Sequence, residues 1–194
     1  MYNSLIWVGV FLRVVSGLAR GHKLVDLGES TVRPTSDRAR EAIFSTISGK
    51  LQGAYFLDMF AGSGAMGIEA LSRGASFAAF IESEVGHTDI IRKNLALVSK
   101  ALKEPEFKVI NEAVPHALRH FEGKGFDIIF MDPPYKSGLW RSALSIVHEM
   151  SLLNEGGIVI VEISKDEGEP ELDLPFSIVK RRNYGAAVIY YIEI

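Results

Sequence analysis

"LDMFAGSGAMGIEALSRG" occupies residues 57–74. An apolar run, "YFLDMF", leads into it and reads as a buried strand, while "AMGIEALS" follows with helical spacing. Between them Gly62, Gly64 and Gly67 stand in G-x-G-x-x-G order. Glycine reaches backbone angles closed to other residues and lets a ligand approach the main chain. A strand that turns on glycines straight into a helix opens a βαβ unit, so an α/β fold is expected.

The pattern repeats downstream. "SFAAFIE", "FKVIN", "FDIIFMD" and "GGIVIVEIS" are short apolar runs of the kind a sheet covered on both faces buries. "VGHTDIIRKNLALVSKAL", "VPHALRHF" and "GLWRSALSIVHEM" alternate with them as helices with one apolar face. The end differs: "FSIVKRR" and "AAVIYYIEI" are joined by "NYG" with no helix between, a hairpin whose last strand runs antiparallel to its neighbours. The expectation is a Rossmann-like sheet of seven strands, mainly parallel, closed by that C-terminal hairpin. Upstream, "LRVVSG" and "HKLVDL" form a small β-hairpin. "RPTSDRAREAIFSTI" starts a helix at Ser36 or Asp37, with Ala39, Ile43, Phe44 and Ile47 on one face. Residues 1–50 are thus an extension and arm packed on the body, and 51–194 form the main domain.

A chain of 194 residues, 47% apolar and 23% charged, can bury one real core. With no cysteine there are no disulfides or thiolate metal sites, and a cytoplasmic setting is expected. The apolar stretch Leu5–Leu12 is far shorter than the ~20 residues that span a bilayer. It also lacks the basic start and cleavage site of a signal peptide. Net charge is −3, yet Arg13, Arg20, Lys23, Arg33, Arg38 and Arg40 face only Asp26, Glu29 and Asp37 in the arm. A basic arm on an acidic body suits a protein that touches phosphates with one end; scattered surface charge is the plain alternative.

Glu82 ends the second strand, twenty residues beyond Gly62, where a carboxylate accepts hydrogen bonds from ribose hydroxyls. Loop and acid together point to a bound nucleoside, against a merely tight turn. A dinucleotide would set its pyrophosphate on the helix N-terminus. S-adenosylmethionine has no phosphate but carries an α-amino group, and Asp58 at the strand end is placed to meet it. That favours the methyl donor, unless Asp58 only satisfies loop amides.

The second site is "FDIIFMDPPYKSG", residues 126–138. Two prolines make a stiff, extended exit from the strand. In a parallel sheet this exit and the glycine loop face one crevice. A methyl group delivered there from a sulfonium suits a poor nitrogen nucleophile such as the exocyclic amine of a base. Asp132 and the Pro133 carbonyl accept its two hydrogens in a geometry set beforehand. Tyr135 offers a face on which an extruded base stacks. A rigid turn with a partly buried tyrosine is the structural alternative.

At these residues the chain resembles a family. "DMFAGSGAMGIEALSRGA", "IE" at 81–82 and "MDPPY" at 131–135 resemble an S-adenosylmethionine-dependent amino-methyltransferase. With "RVVSGLARGHKL" and "RPTSDRAREAIF" upstream they resemble the RsmD family, which methylates the exocyclic N2 of a guanine in bacterial small-subunit (16S) ribosomal RNA. The likeness runs from about Leu12 to the end. It implies that Asp58, the loop Phe60, Ala61, Gly62, Ser63, Gly64 and Gly67, and Glu82 with Ser83 bind the cofactor. It implies that Asp132, Pro133, Pro134 and Tyr135 hold a flipped guanine. It also implies that Arg13, Arg20, Lys23, Arg33, Thr35, Arg38 and Arg40 contact 16S rRNA, alone or in the 30S subunit or an assembly intermediate. Where many members carry Asp or Asn for the adenine amine, this chain has Ala113; the backbone of Ala113 and Val114, or Glu112, is the substitute.

A DNA adenine-N6 or cytosine-N4 methyltransferase is the nearest rival, though the chain has no separate sequence-reading domain. A glutamine methyltransferase more usually has Asn at position 132, and a dinucleotide-binding module would lack methyl chemistry. His116 and His120 have no third ligand nearby, so no metal is expected. Arg33, Thr35, Arg38 and Arg40 close over the cofactor, reach phosphate, or form a helix-start network with Glu41. Lys180, Arg181 and Arg182 form a basic rim or an exposed strand end. Trp7 and Trp140 are packing residues, and a monomer is the expected state.

Overall fold

The computed structural model describes residues 12–28, 36–134, 137–168, 170, 172 and 175–194. Two helices come first, α1 (Asp37–Thr46) and α2 (Ser48–Leu51). Then β1 (Tyr55–Met59), α3 (Ala65–Ser72), β2 (Phe77–Glu82), α4 (Val85–Val98) and β3 (Glu106–Asn111) alternate. A 3₁₀ turn (His116–Phe121) leads to β4 (Phe126–Met131), α5 (Leu139–Glu149) and β5 (Leu153–Ser164). Strands β6 (Ser177–Tyr184) and β7 (Ala187–Glu193) close the chain.

The seven strands lie in the order β3-β2-β1-β4-β5-β7-β6. The first five are parallel, and β7 runs antiparallel to both β5 and β6. The expected seven-stranded, mainly parallel sheet with a terminal hairpin is therefore present. Strand order reverses between β1 and β4, which makes that pair of carboxyl ends the topological switch point where ligands collect.

Both faces are covered. One packs α5 and the 3₁₀ turn (Trp140, Ala143, Leu144, Val147, Leu118, Phe121) on β1, β4 and β5. The other packs α1, α2 and α3, with Ile43, Phe44, Leu51, Met66 and Ala70 against Phe56, Phe130, Ile160 and Tyr191. Sequence and structure differ in two places. The expected helix 114–121 is a short 3₁₀ turn, His116–Phe121, with Pro115 at its N-cap. Among the described residues the upstream hairpin is a compact arm with one Arg13–Lys23 bridge, and backbone bonds from Leu24 to Leu12 and from Val14 to His22 flank it.

The arm is fastened to the body by buried acceptors. Glu69 of α3, fully buried, accepts from the backbone N–H of Val15 and Ser16 at 2.7 and 2.9 Å. Asn94 of α4 accepts from Val25 N–H at 2.7 Å and donates to the carbonyls of Val25 and Ser63 at 3.0 and 2.9 Å. One side chain thus joins arm, helix and glycine loop. Ser36 caps α1, its hydroxyl accepting from Ala39 N–H at 3.2 Å.

Asp58 is the strut between β1 and α3. It is 1% exposed and accepts from Gly67 N–H at 2.9 Å. Burial pushes its carboxyl up to about 8; the Gly67 bond opposes the rise and the charge of Glu82 adds to it. The folded protein therefore keeps a proton that the unfolded chain gives up near pH 4, so this group's contribution to stability falls as pH rises from about 4 to about 8. Asp58→Asn removes the ionisation. Its melting temperature relative to wild type should climb between pH 5.5 and pH 8.5, whereas parallel profiles would show that Asp58 carries no such penalty.

Candidate functional site

The turn after β1 is built under constraint. Phe60 takes a positive φ of 61°, a region that costs a non-glycine residue energy. Gly62 and Gly64 follow at φ 53° and 77°, and Gly64 begins α3 in the left-handed conformation. Gly67 is required for a different reason: a Cβ there would lie 2.3 Å from the Phe80 ring. Glycine thus sets the turn at two positions and the helix–sheet approach at the third.

Glu82, buried at the end of β2, holds this turn. Its Oε2 accepts from Gly62 N–H at 2.8 Å and its Oε1 from Glu84 N–H at 3.0 Å. Asn111 at the end of β3 donates to the carbonyls of Glu82 and Ser83 at 3.0 and 2.8 Å, which fixes the strand end carrying the acid. Oε1 also accepts from the Ser83 hydroxyl at 3.5 Å, so Oε2 is the oxygen with a lone pair beyond these bonds.

A cavity of about 490 Å³ opens at the switch point. Phe60, Gly62, Glu82, Ser83, Ala113 and Val114 line it together with Asp132, Pro133 and Pro134. Nine of the residues singled out from sequence therefore share one space, and the glycine turn and the Asp-Pro-Pro exit meet across it. Asp58, Ala61, Ser63, Gly64 and Gly67 stand behind that wall. Asp58 faces Gly67, Ser63 gives its carbonyl to Asn94, and Ala61 packs among Leu71, Phe80 and Ile91.

The lining has a marked electrostatic character. Glu82, Glu84, Glu112 and Asp132 contribute four carboxylates, and no Lys or Arg is among the described residues of the wall. Asp132 is half-buried, recessed in the wall with part of its surface open to the cavity. Burial, followed by the charges of Glu162 and Asp58, pushes its carboxyl well above the usual carboxylate range. The ensemble favours cations and repels phosphates.

Several wall residues escape the sequence reading. Leu27 of the arm comes within 3.5 Å of where a Gly62 Cβ would stand, Leu139 begins α5, and His87 of α4 lies 3.7 Å from Glu82. Leu27 and Leu139 carry no local motif, because only tertiary packing brings them here. Ile81 and Glu84, flanking Glu82 and Ser83, were the ones proximity along the chain could have suggested. Glu112 lines the cavity, but its carboxylate accepts from His120 Nε2 at 2.9 Å. His116 meets Arg119, so the two histidines are engaged separately, and no cluster of metal-ligating side chains occurs among the described residues.

The arm cations divide. Arg20, Lys23 and Arg38 are exposed, and Arg13 is exposed while pairing with Asp37 at 2.9 Å. Arg40 is the exception, only 1% exposed, donating to Asp37 at 2.7 Å and to the Arg13 carbonyl at 2.9 Å. Its guanidinium also lies 3.9 Å from Glu69, so it joins arm, α1 and α3 and is withdrawn from any outside phosphate. Arg33, Thr35 and Tyr135 lie outside the described residues. No described helix is long and apolar enough to cross a membrane.

Residues 12–193 match the model of the family described as "Conserved hypothetical protein 95". Ribosomal RNA small subunit methyltransferase D of Haemophilus influenzae is 34% identical over 80% of each chain. The protein of the same name from Escherichia coli K12 is 33% identical over 90% of this chain and 85% of its own. The solved structure of yhhF from Escherichia coli superposes with a TM-score of 0.81 at 30% identity, covering 94% of this chain and 97% of that one. The sheet topology, the wall of the switch-point cavity and these relatives agree: the chain belongs to the Conserved hypothetical protein 95 family, the RsmD family.

Proposed function

We propose that this protein methylates the exocyclic N2 of a guanine in small-subunit ribosomal RNA, with S-adenosylmethionine as methyl donor. The observation that carries the reading is that Glu82 and Asp132 line one cavity, two of its four carboxylates, with no Lys or Arg among the described residues of the wall. A dinucleotide would bring a pyrophosphate against that wall, at an electrostatic cost. S-adenosylmethionine brings an ammonium and a sulfonium, and when bound it supplies an electrophilic methyl group. The relatives named Ribosomal RNA small subunit methyltransferase D support the same class of substrate.

The chain's own residues divide the work. Glu82, oriented by Gly62 and Glu84, keeps a lone pair on Oε2 for a ribose hydroxyl, and Oε1 takes a second one if the Ser83 hydroxyl turns away. Phe60, Ile81, Ala113 and Val114 provide an apolar slot for a base. The backbone of Ala113 and Val114 is the available reader of adenine, since Glu112 is held by His120. Asp58 acts from behind the wall by fixing α3 to β1. Across the cavity the Asp132 carboxylate and Pro133 carbonyl accept the two N–H bonds of the target amine, and Tyr135 stacks on the flipped base. The two prolines cost these acceptors almost no reorganisation when substrate arrives.

Only ionised Asp132 accepts as a carboxylate, and its pKa is raised. Turnover should therefore increase with pH above the ordinary carboxylate range, until Asp132 is ionised. Asp132→Asn should lower kcat by about 10²–10³ and flatten that rise, with cofactor affinity within about threefold of wild type. Near-normal kcat in this variant would remove Asp132 from its assigned role. Glu82→Gln keeps the shape but weakens the ribose acceptors; calorimetry should show cofactor affinity lowered by about 10–100-fold. Unchanged affinity would place the nucleoside elsewhere.

A further inference from the structure

Strand β6 is the outer edge of the sheet, and its carboxyl half reads Lys180-Arg181-Arg182. Three consecutive cations form a local excess on a chain of net charge −3. Register shows where they lie. Met131 of β4 pairs with Val161, which sets Asp132 level with Glu162; Glu162 pairs with Ile189, and Ile189 with Arg182. Asp132 and Arg182 thus share one row across the sheet, three strand spacings or about 14 Å apart. Because β6 points the same way as β4, its carboxyl end opens on the edge that holds the cavity.

The side chains straddle that edge. Lys180 lies over the Tyr191 ring and reaches Thr46 of α1, whereas Arg181 lies over Tyr190 on the opposite face. Arg181 and Arg182 are both exposed. Phe44, late in α1, lies against Phe56 at the amino end of β1 and under Arg73 beyond the carboxyl end of α3, whereas Arg40 of the first turn meets Glu69 midway up α3, so α1 begins on the crevice side. Exposed Arg38 belongs to that turn.

A nucleic-acid strand approaching this crevice meets an acidic wall, and its phosphates must find cations on the flanks. On the side of α3 and α4 the arm carries exposed Lys23, two residues before Val25, which meets Asn94 of α4. We infer that Arg181 and Arg182, with Arg38, form a phosphate-binding rim that seats the RNA strand next to the target base on the opposite flank. This rests on the proposed methylation of an RNA base. The plain role of cations on an edge strand is to prevent pairing with another chain, a role that any charge fulfils. Reversing their sign separates the two.

The test is the pair Arg181→Glu and Arg182→Glu, measured by filter binding to protein-free small-subunit rRNA across a salt series. RNA affinity should fall by about tenfold or more, and the slope of log K against log salt should become shallower by about two. Melting temperature and cofactor affinity should not move, and Arg181→Gln with Arg182→Gln should give a smaller loss in the same direction. Unchanged affinity and slope would overturn the rim. So would a loss confined to assembled subunits with protein-free RNA bound as before, since the strand would then dock a ribosomal protein. A wild type that binds RNA in this manner yet transfers no methyl group would defeat the reading of the cavity and leave the rim standing.

Discussion

Carboxylates at the ends of neighbouring parallel strands are the constraint around which this molecule is arranged. Asp58 stands one residue before the end of its strand under the glycine loop, Glu82 ends the next, and Asp132 follows the strand on the other side of the switch point. Glu162 stands level with Asp132 on β5. Like charges directly across adjacent strands destabilise a sheet, and burial makes the repulsion stronger. Burial first, and then the neighbouring acids, raise the affinities of Asp58 and Asp132 for protons. A cationic ligand relieves the repulsion among the acids that stay ionised, and a diphosphate worsens it.

The second constraint is rigidity. Phe60 and two glycines hold the cofactor-side turn in the left-handed region, and Pro133 and Pro134 stiffen the other wall. Glu82 and Asn111 lock the strand end between them. The arm adds to this through Glu69, Asn94 and Arg40, each buried and each bonded to elements far apart in sequence. An arm fastened so firmly to α3 and α4 is part of the wall of the site, as the position of Leu27 shows.

Much of this was legible from residues alone, for identifiable reasons. Apolar runs of strand length, broken by glycine and separated by helical spacing, left few topologies, and the missing helix before the last strand marked the antiparallel hairpin. Glu82 and Asp132 were legible because strand ends facing a switch point are the places where such acids converge. Arg40 was not. Its charge suggested an outward role, but a guanidinium bonded to a backbone carbonyl in the arm depends on a fold that local sequence does not encode. Asp58 stands at the expected strand end yet faces Gly67, because its side chain points under the loop. Leu27 and Leu139 carry no sequence signal at all. Their contribution exists only because distant segments pack against the crevice.

The central claim is that the stiff acceptor pair at Asp132 and Pro133 grips a nucleobase amine opposite a methyl sulfonium. The most direct measurement is to incubate the enzyme with methyl-labelled S-adenosylmethionine and small subunits lacking the modification, then digest the RNA to nucleosides. Label is expected in N2-methylguanosine. Label in a ring nitrogen, a ribose or a protein side chain, or in no product at all, would contradict it.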